Sequence, residues 1–115
     1  MDTLADCELA WTSFDANAKI YEESRVHRDR IHICQKPVAL YRWLLKNYAK
    51  PGQRILDTHL GSGSIAIACD IEGFDLVGCE IDADYIASAR KRLAEHQAQP
   101  RLFDAPAPQP IQLTL

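Results

Sequence analysis

Apolar and polar positions change their rhythm twice along the chain. From Cys7 to Ser13 (CELAWTS), apolar residues mix with Trp and Thr as in a strand. Ala18 to Tyr21 forms a second short stretch of this kind, so the pair predicts an N-terminal hairpin. Glu22 to Arg30 is dominated by polar residues and reads as a loop. The period then lengthens. Val38, Tyr41, Leu44, Leu45 and Tyr48 recur at helical spacing behind Pro37, and Pro51-Gly52 ends that helix. Arg54 to Asp57 is a short strand, followed by the glycine-rich turn Gly61-Ser62-Gly63-Ser64. Ile65, Ala68 and Cys69 fit the inner face of a second helix that Gly73 closes. Asp75 to Cys79 (DLVGC) is a second strand. Asp82 caps a third helix through Leu93, with Ile86, Ala89 and Leu93 facing inward. Strand, helix, strand, helix predicts an α/β fold with parallel strands and right-handed crossover helices.

Length and composition set the limits of this pattern. The 115 residues suffice for one domain. The stretch from Gln97 to Leu115 holds four of the six prolines and is expected to be a flexible tail, leaving 1–96 as the folded part. No apolar run approaches the ~18 residues of a membrane span, and Asp2 and Asp6 stand where a secretory signal would be basic and then greasy. A cytoplasmic protein with no membrane partner is expected. The four cysteines form no C-x-x-C pair and read as reduced, buried thiols, with no metal site. Net charge is -3, yet Lys19 to Arg54 carries nine Lys/Arg against three Asp/Glu. That segment either faces phosphates or is a solvated basic surface.

Parallel sheets bind ligands beyond the carboxyl ends of their strands. Asp57 and Glu80 end the two predicted strands, so both carboxylates should share one rim, with Gly61 and Gly63 in the loop between them. Glycine admits positive φ and lets a ligand lie close to the backbone. Glu80 is suited to accept hydrogen bonds from two ribose hydroxyls. Gly61-x-Gly63-x-x-Ala66 also fits the dinucleotide fingerprint, with Glu80 nineteen residues after Gly61, so a small NAD-binding fragment is an alternative. In that fingerprint, however, the first glycine sits directly at the strand end beneath a pyrophosphate. Here Thr58-His59-Leu60 intervene, and a carboxylate at the strand end would repel phosphate and suit a cation. S-adenosylmethionine, which carries both an ammonium and a sulfonium, is therefore favoured.

These residues resemble a known family. Ile55-Leu56-Asp57-Thr58-His59-Leu60-Gly61-Ser62-Gly63-Ser64 is similar to the cofactor motif of the DNA methyltransferases that modify adenine N6 or cytosine N4, which often reads D-P-F-x-G-x-G. Gly78-Cys79-Glu80-Ile81-Asp82 resembles the motif whose acid holds the ribose. His32-Ile33-Cys34-Gln35-Lys36-Pro37 resembles H-P-T-Q-K-P, with Ile33 and Cys34 departing from it. The order of the three is that of the subgroup with its catalytic motif in the N-terminal half, found in bacteria and phages. The resemblance implies a partial Rossmann-like methyltransferase fold that binds S-adenosylmethionine and acts on DNA. Asp57 would contact the methionine amino group, and Gly61 and Gly63 would line the loop. Glu80 would hold the ribose, and Ile81 would pack on adenine. His32, Gln35 and Lys36 would border the methionine end, with Lys36 able to pair with the α-carboxylate.

One family feature is missing. The D/N/S-P-P-Y/F/W motif, which accepts hydrogen bonds from the target amino group and stacks on the flipped base, has no counterpart, because the sequence contains no Pro-Pro. No catalytic residue is therefore assigned. The chain resembles the C-terminal portion of a longer enzyme and is expected to be inactive alone; its open sheet edge could be covered by a second copy, or by a second polypeptide carrying the catalytic half. A non-enzymatic remnant that binds DNA or a parent methyltransferase is the other alternative. In the tail, Gln99, Leu102 and Phe103 fit the Q-x-x-L-F peptide with which bacterial proteins bind the replication sliding clamp.

Overall fold

The computed structural model describes residues 8–22, 35–100 and 110–115. Helix α1 (Val38–Tyr48) starts after Pro37, whose extended backbone serves as N-cap. Strand β1 (Arg54–Asp57), helix α2 (Ser64–Glu72), strand β2 (Asp75–Cys79) and helix α3 (Ala83–Ala98) follow in the expected order. The Asp82 side chain caps α3 by accepting from the backbone N–H groups of Asp84 (2.8 Å) and Tyr85 (3.2 Å). This satisfies two of the donors that a helix start leaves open. Gly73 ends α2 in the left-handed conformation at φ 79°, where a side chain would be strained.

Two expectations need correction. The N-terminal hairpin does not form: residues 8–22 contain no strand, and Cys7 lies outside the described residues. The segment packs against α1 through its rings instead. Phe14 lies 5.3 Å from Tyr48 and Tyr21 lies 5.6 Å from Trp43, centroid to centroid. β-propensity without a pairing partner does not make a strand. The tail from 97 is not uniformly flexible either. Helix α3 runs on to Ala98, and Ile111–Thr114 forms strand β3, which pairs parallel with β2. A four-residue stretch alternating apolar and polar needs only a neighbour with open hydrogen-bonding groups, and β2 supplies one.

The sheet order is β1-β2-β3, all parallel. The register places Ile55, Leu76 and Ile111 in one row, and Asp57, Gly78 and Leu113 in the next, on the same face. That face meets the core formed by Leu45 of α1, Ile65 to Cys69 of α2, and Ile86, Ala89 and Leu93 of α3. Helix α2 is buried along nearly its whole length, from Ser64 to Asp70, between α1 and α3. Leu56 and Val77 stand on the opposite face and lie outside this core, with Leu56 65% exposed. No helix of the described residues is long and apolar enough to cross a membrane.

Candidate functional site

The site is built at the carboxyl edge of β1 and β2. Asp57 pairs in register with Gly78, so Glu80, two residues further on, leaves the sheet on the same rim. The loop after β1 crosses to the end of β2. Leu60 donates its N–H to the Cys79 carbonyl at 2.9 Å and buries its side chain over Gly78. Gly78 leaves room for it, because a Cβ there would lie 2.8 Å from the Leu60 Cδ1. Gly61 then turns at φ 57° and Gly63 at φ 80°, both in the region that favours glycine, and Gly63 becomes the N-cap of α2.

The Glu80 carboxylate closes this turn. Its Oε2 accepts from the Gly61 N–H at 2.6 Å and its Oε1 accepts from the Asp82 N–H at 3.1 Å. One acid thereby fixes both the glycine loop and the start of α3. Each carboxylate oxygen has two lone-pair directions, so each keeps one for a further donor. Asp57 accepts from the His59 N–H at 3.0 Å through Oδ1. The His59 ring lies 2.9 Å from the Thr58 hydroxyl and takes no other described role. Ile81, beside Glu80, is 97% exposed, an apolar side chain standing free on the rim.

The Asp57 charge is felt from two helices. Burial, and then that carboxylate, raise the Tyr41 phenol above its ordinary value. Burial, followed by Asp57 and Asp75, pushes the Cys69 thiol up to about 12. Cys69 is accordingly a protonated packing residue, as read from the sequence, while Cys79 is free and half-buried. Cys34 lies outside the described residues, and among those described no cluster of His, Cys, Asp and Glu could hold a metal.

Helix α1 leads into β1 through the short connection 49–53. Gln35 and Lys36, just ahead of α1, are half-buried. The Lys36 ammonium pairs with Glu8, an acid that sequence reasoning did not connect with it. His32 lies outside the described residues, as do Leu102 and Phe103 of the clamp-like peptide. Gln99 is the C-cap of α3, donating its N–H to the His96 carbonyl at 3.2 Å.

Several described cations of the basic segment are paired with acids. Arg42 and Lys46 both reach Glu72 (2.6 and 3.6 Å), and Arg54 reaches Asp75 at 2.5 Å. Two further clusters went unnoticed in the sequence. Buried Asp70 accepts from Gln97 Nε2 at 3.1 Å and lies 3.3 Å from His96 Nε2, joining α2 to α3. Arg92 of α3 reaches Ser62 and Ser64 of the glycine loop. Its only sequence signal was its place three residues beyond Ala89 on the inner stripe.

Comparison with known proteins shows the family. The family model of the N6/N4 methyltransferases, described as DNA methylase, matches residues 5–91. The type II methyltransferase M.HpaI of Haemophilus parainfluenzae is 31% identical over 80 residues, which cover 66% of this chain and 26% of that protein. The type II methyltransferase M1.MboII of Moraxella bovis is 33% identical over 58 residues, 50% of this chain and 22% of the relative. M.Cfr9I of Citrobacter freundii, also a type II methyltransferase, is 34% identical over 62 residues, 54% and 21% respectively. The matched stretch thus spans about a quarter of each relative.

Proposed function

The chain belongs to the DNA methylase family, and we propose that it is the S-adenosylmethionine-binding part of an enzyme that methylates adenine N6 or cytosine N4 in DNA. The observation that carries this reading is the Asp57–Glu80 rim, spanned by a glycine loop whose Gly61 amide is held by Glu80. Paired carboxylates suit a ligand rich in hydroxyls and positive charge, and the bare glycines leave the backbone open to close approach. When bound, S-adenosylmethionine supplies a methyl group activated by its sulfonium. Glu80 accepts the ribose hydroxyls with the lone pairs that Gly61 and Asp82 leave unused. Asp57 faces the methionine ammonium, and Ile81 covers the adenine. His32, Gln35 and Lys36 border the methionine end, where Lys36 exchanges Glu8 for the α-carboxylate.

Transfer needs more than this rim. The target amino group is a poor nucleophile and requires acceptors aimed at it beside the donor. With no Pro-Pro motif in the sequence, we assign those acceptors to polypeptide outside these 115 residues, such as a second chain carrying the catalytic half. It would complete a Rossmann-like sheet, pairing with the outer edge of β1 and covering Leu56, Val77 and Cys79. Parallel sheets are normally covered on both faces, and this surface lies outside the described core.

Titration calorimetry with S-adenosylmethionine tests the cofactor reading. Binding should weaken about tenfold or more in Glu80→Ala and in Asp57→Ala, as expected for losing hydrogen bonds to a charged group. No binding by the unaltered chain would leave the non-enzymatic remnant standing. Binding of NAD in place of S-adenosylmethionine would select the dinucleotide alternative. Methyl transfer to DNA by the 115-residue chain alone would overturn the assignment of catalysis to another polypeptide.

A further inference from the structure

Helix α3 presses on the glycine loop from behind at two positions one turn apart. At Ala89 the contact is steric: a Cβ on Gly63 would lie 2.8 Å from the Ala89 Cβ and 3.3 Å from its Cα. At Arg92 the contact is polar. One guanidinium nitrogen, Nη1, lies 2.8 Å from Ser64 Oγ, 3.3 Å from the Ser62 carbonyl and 3.4 Å from Ser62 Oγ. Both serines are buried, so these oxygens sit where water does not readily reach them. An arginine is donor-only, with five N–H groups in a rigid fork. Here one arm of the fork, Nη1 with its two N–H groups, faces all three oxygens.

A guanidinium beside the first turn of α2 also runs against the helix dipole, which favours negative charge at that end. The arrangement is therefore not accounted for by stabilisation of α2 itself. What the contacts fix is the loop, with Ser62 and Ser64 flanking Gly63. The same helix begins at Asp82, whose amide binds Glu80, and Glu80 in turn holds Gly61. The loop is thus gripped at Gly61 from one end of α3 and at Ser62 to Ser64 from its middle.

We propose that Arg92 is a positioning residue of the cofactor site, setting the backbone of Ser62 to Ser64 so that the Gly61–Gly63 turn is formed before the cofactor arrives. This rests on the cofactor reading above. The test uses the full chain and two readouts. Hydrogen exchange reports the Gly61 and Gly63 amides, which are bonded to Glu80 and to the Leu60 carbonyl. Calorimetry reports S-adenosylmethionine affinity.

In Arg92→Met, exchange at these two amides should rise about tenfold relative to core amides such as Leu76, and affinity should fall about tenfold, on the scale of a lost charged hydrogen bond. Arg92→Lys should recover part of both. Ser64→Ala, a milder change at the other end of the contact, should shift both in the same direction and add little once Arg92 is gone. Uniformly faster exchange across α2, β2 and α3 would assign Arg92 a general packing role and overturn the proposal. So would unchanged loop exchange in Ser64→Ala together with unchanged affinity. Because exchange needs no ligand, a chain that binds no S-adenosylmethionine yet shows the localised loop effect would sink the cofactor reading and retain the clamp.

Discussion

The Leu60 side chain lies across the bare Cα of Gly78, and a methyl group added there would meet it at 2.8 Å and Leu113 at 3.1 Å. This contact carries the loop from the end of β1 to the end of β2, and so sets how far Asp57 stands from Glu80. Both obstructing atoms are the tips of flexible side chains. Gly78→Ala should therefore fold, at a cost of about 1–3 kcal/mol for overpacking. Thermal denaturation and calorimetry on one preparation should show reduced stability and weaker cofactor binding together.

Gly63→Ala should be the more damaging of the two. The position combines φ 80° with a hypothetical Cβ pressed onto Ala89, including its backbone. Left-handed strain of roughly 1–2 kcal/mol adds to the overpacking. On a domain near 100 residues each kcal/mol lowers Tm by about 4–8 °C, so the ranking is readable by calorimetric scanning. Ala89→Gly in the same chain should relieve the packing part and leave the backbone part.

Asp70 is 3% exposed, and its carboxylate is met by Gln97 and His96 of α3. Asp70→Ala leaves those donors facing the α2–α3 contact without their acceptor and should cost about 1–3 kcal/mol in urea denaturation. Asp70→Asn keeps one acceptor oxygen and should cost less. Equal losses in the two variants would show that the carbonyl contact is not what holds the helices.

Cys69 supplies a pH signature. Its thiol ionises near 12 in the folded chain, against an ordinary value of 9.0, with burial as the main cause and Asp57 and Asp75 adding to it. A folded-state pKa above the unfolded one means that the native state prefers the protonated thiol. The contribution is whole below pH 9 and declines as pH rises from there towards 12. Tyr41, raised for the same first cause, acts in the same direction at the alkaline end. Stability measured at pH 8, 9.5 and 10.5 should fall less steeply in Cys69→Ala than in the unaltered chain. Thiol reagents at pH 8 should label Cys79 well before Cys69.

Leu56 is 65% exposed on the sheet face away from the helices. Leu56→Lys should leave folding stability within about 0.5 kcal/mol, as for other surface changes. It should also reduce self-association in light scattering, since an apolar sheet surface beside an open strand edge invites contact between copies. Undiminished association in this variant would place the sticky surface elsewhere, with exposed Leu9 and Trp11 the next to change.

Much of this arrangement was legible in the residues. The Gly73 stop and the Asp82 cap each mark an element boundary by a local rule that the structure follows, while Pro37, expected at the first helical position, is the extended residue just before it. The common rim of Asp57 and Glu80 followed from parallel strands alone. What stayed hidden depends on pairing across distance. Cys7 to Ser13 carries strand-like side chains but meets no strand. Ile111–Thr114, after a proline-rich stretch, becomes one because β2 has an edge to offer. Likewise no local pattern says that Glu80 will spend its oxygens on Gly61 and Asp82, that Lys36 will turn to Glu8, or that Arg92 will reach back 28 and 30 positions to two serines.

The last strand reaches further than its four residues suggest. The Thr114 carbonyl receives the Glu80 N–H at 3.0 Å, and the Pro110 carbonyl receives that of Leu76 at 3.1 Å. Glu80 is therefore suspended from Thr114, far along the chain. Trimming a handful of terminal residues, or fusing an affinity tag flush against Leu115, would tamper with the anchor of Glu80 from more than thirty positions away. Handles for purification belong at the other terminus.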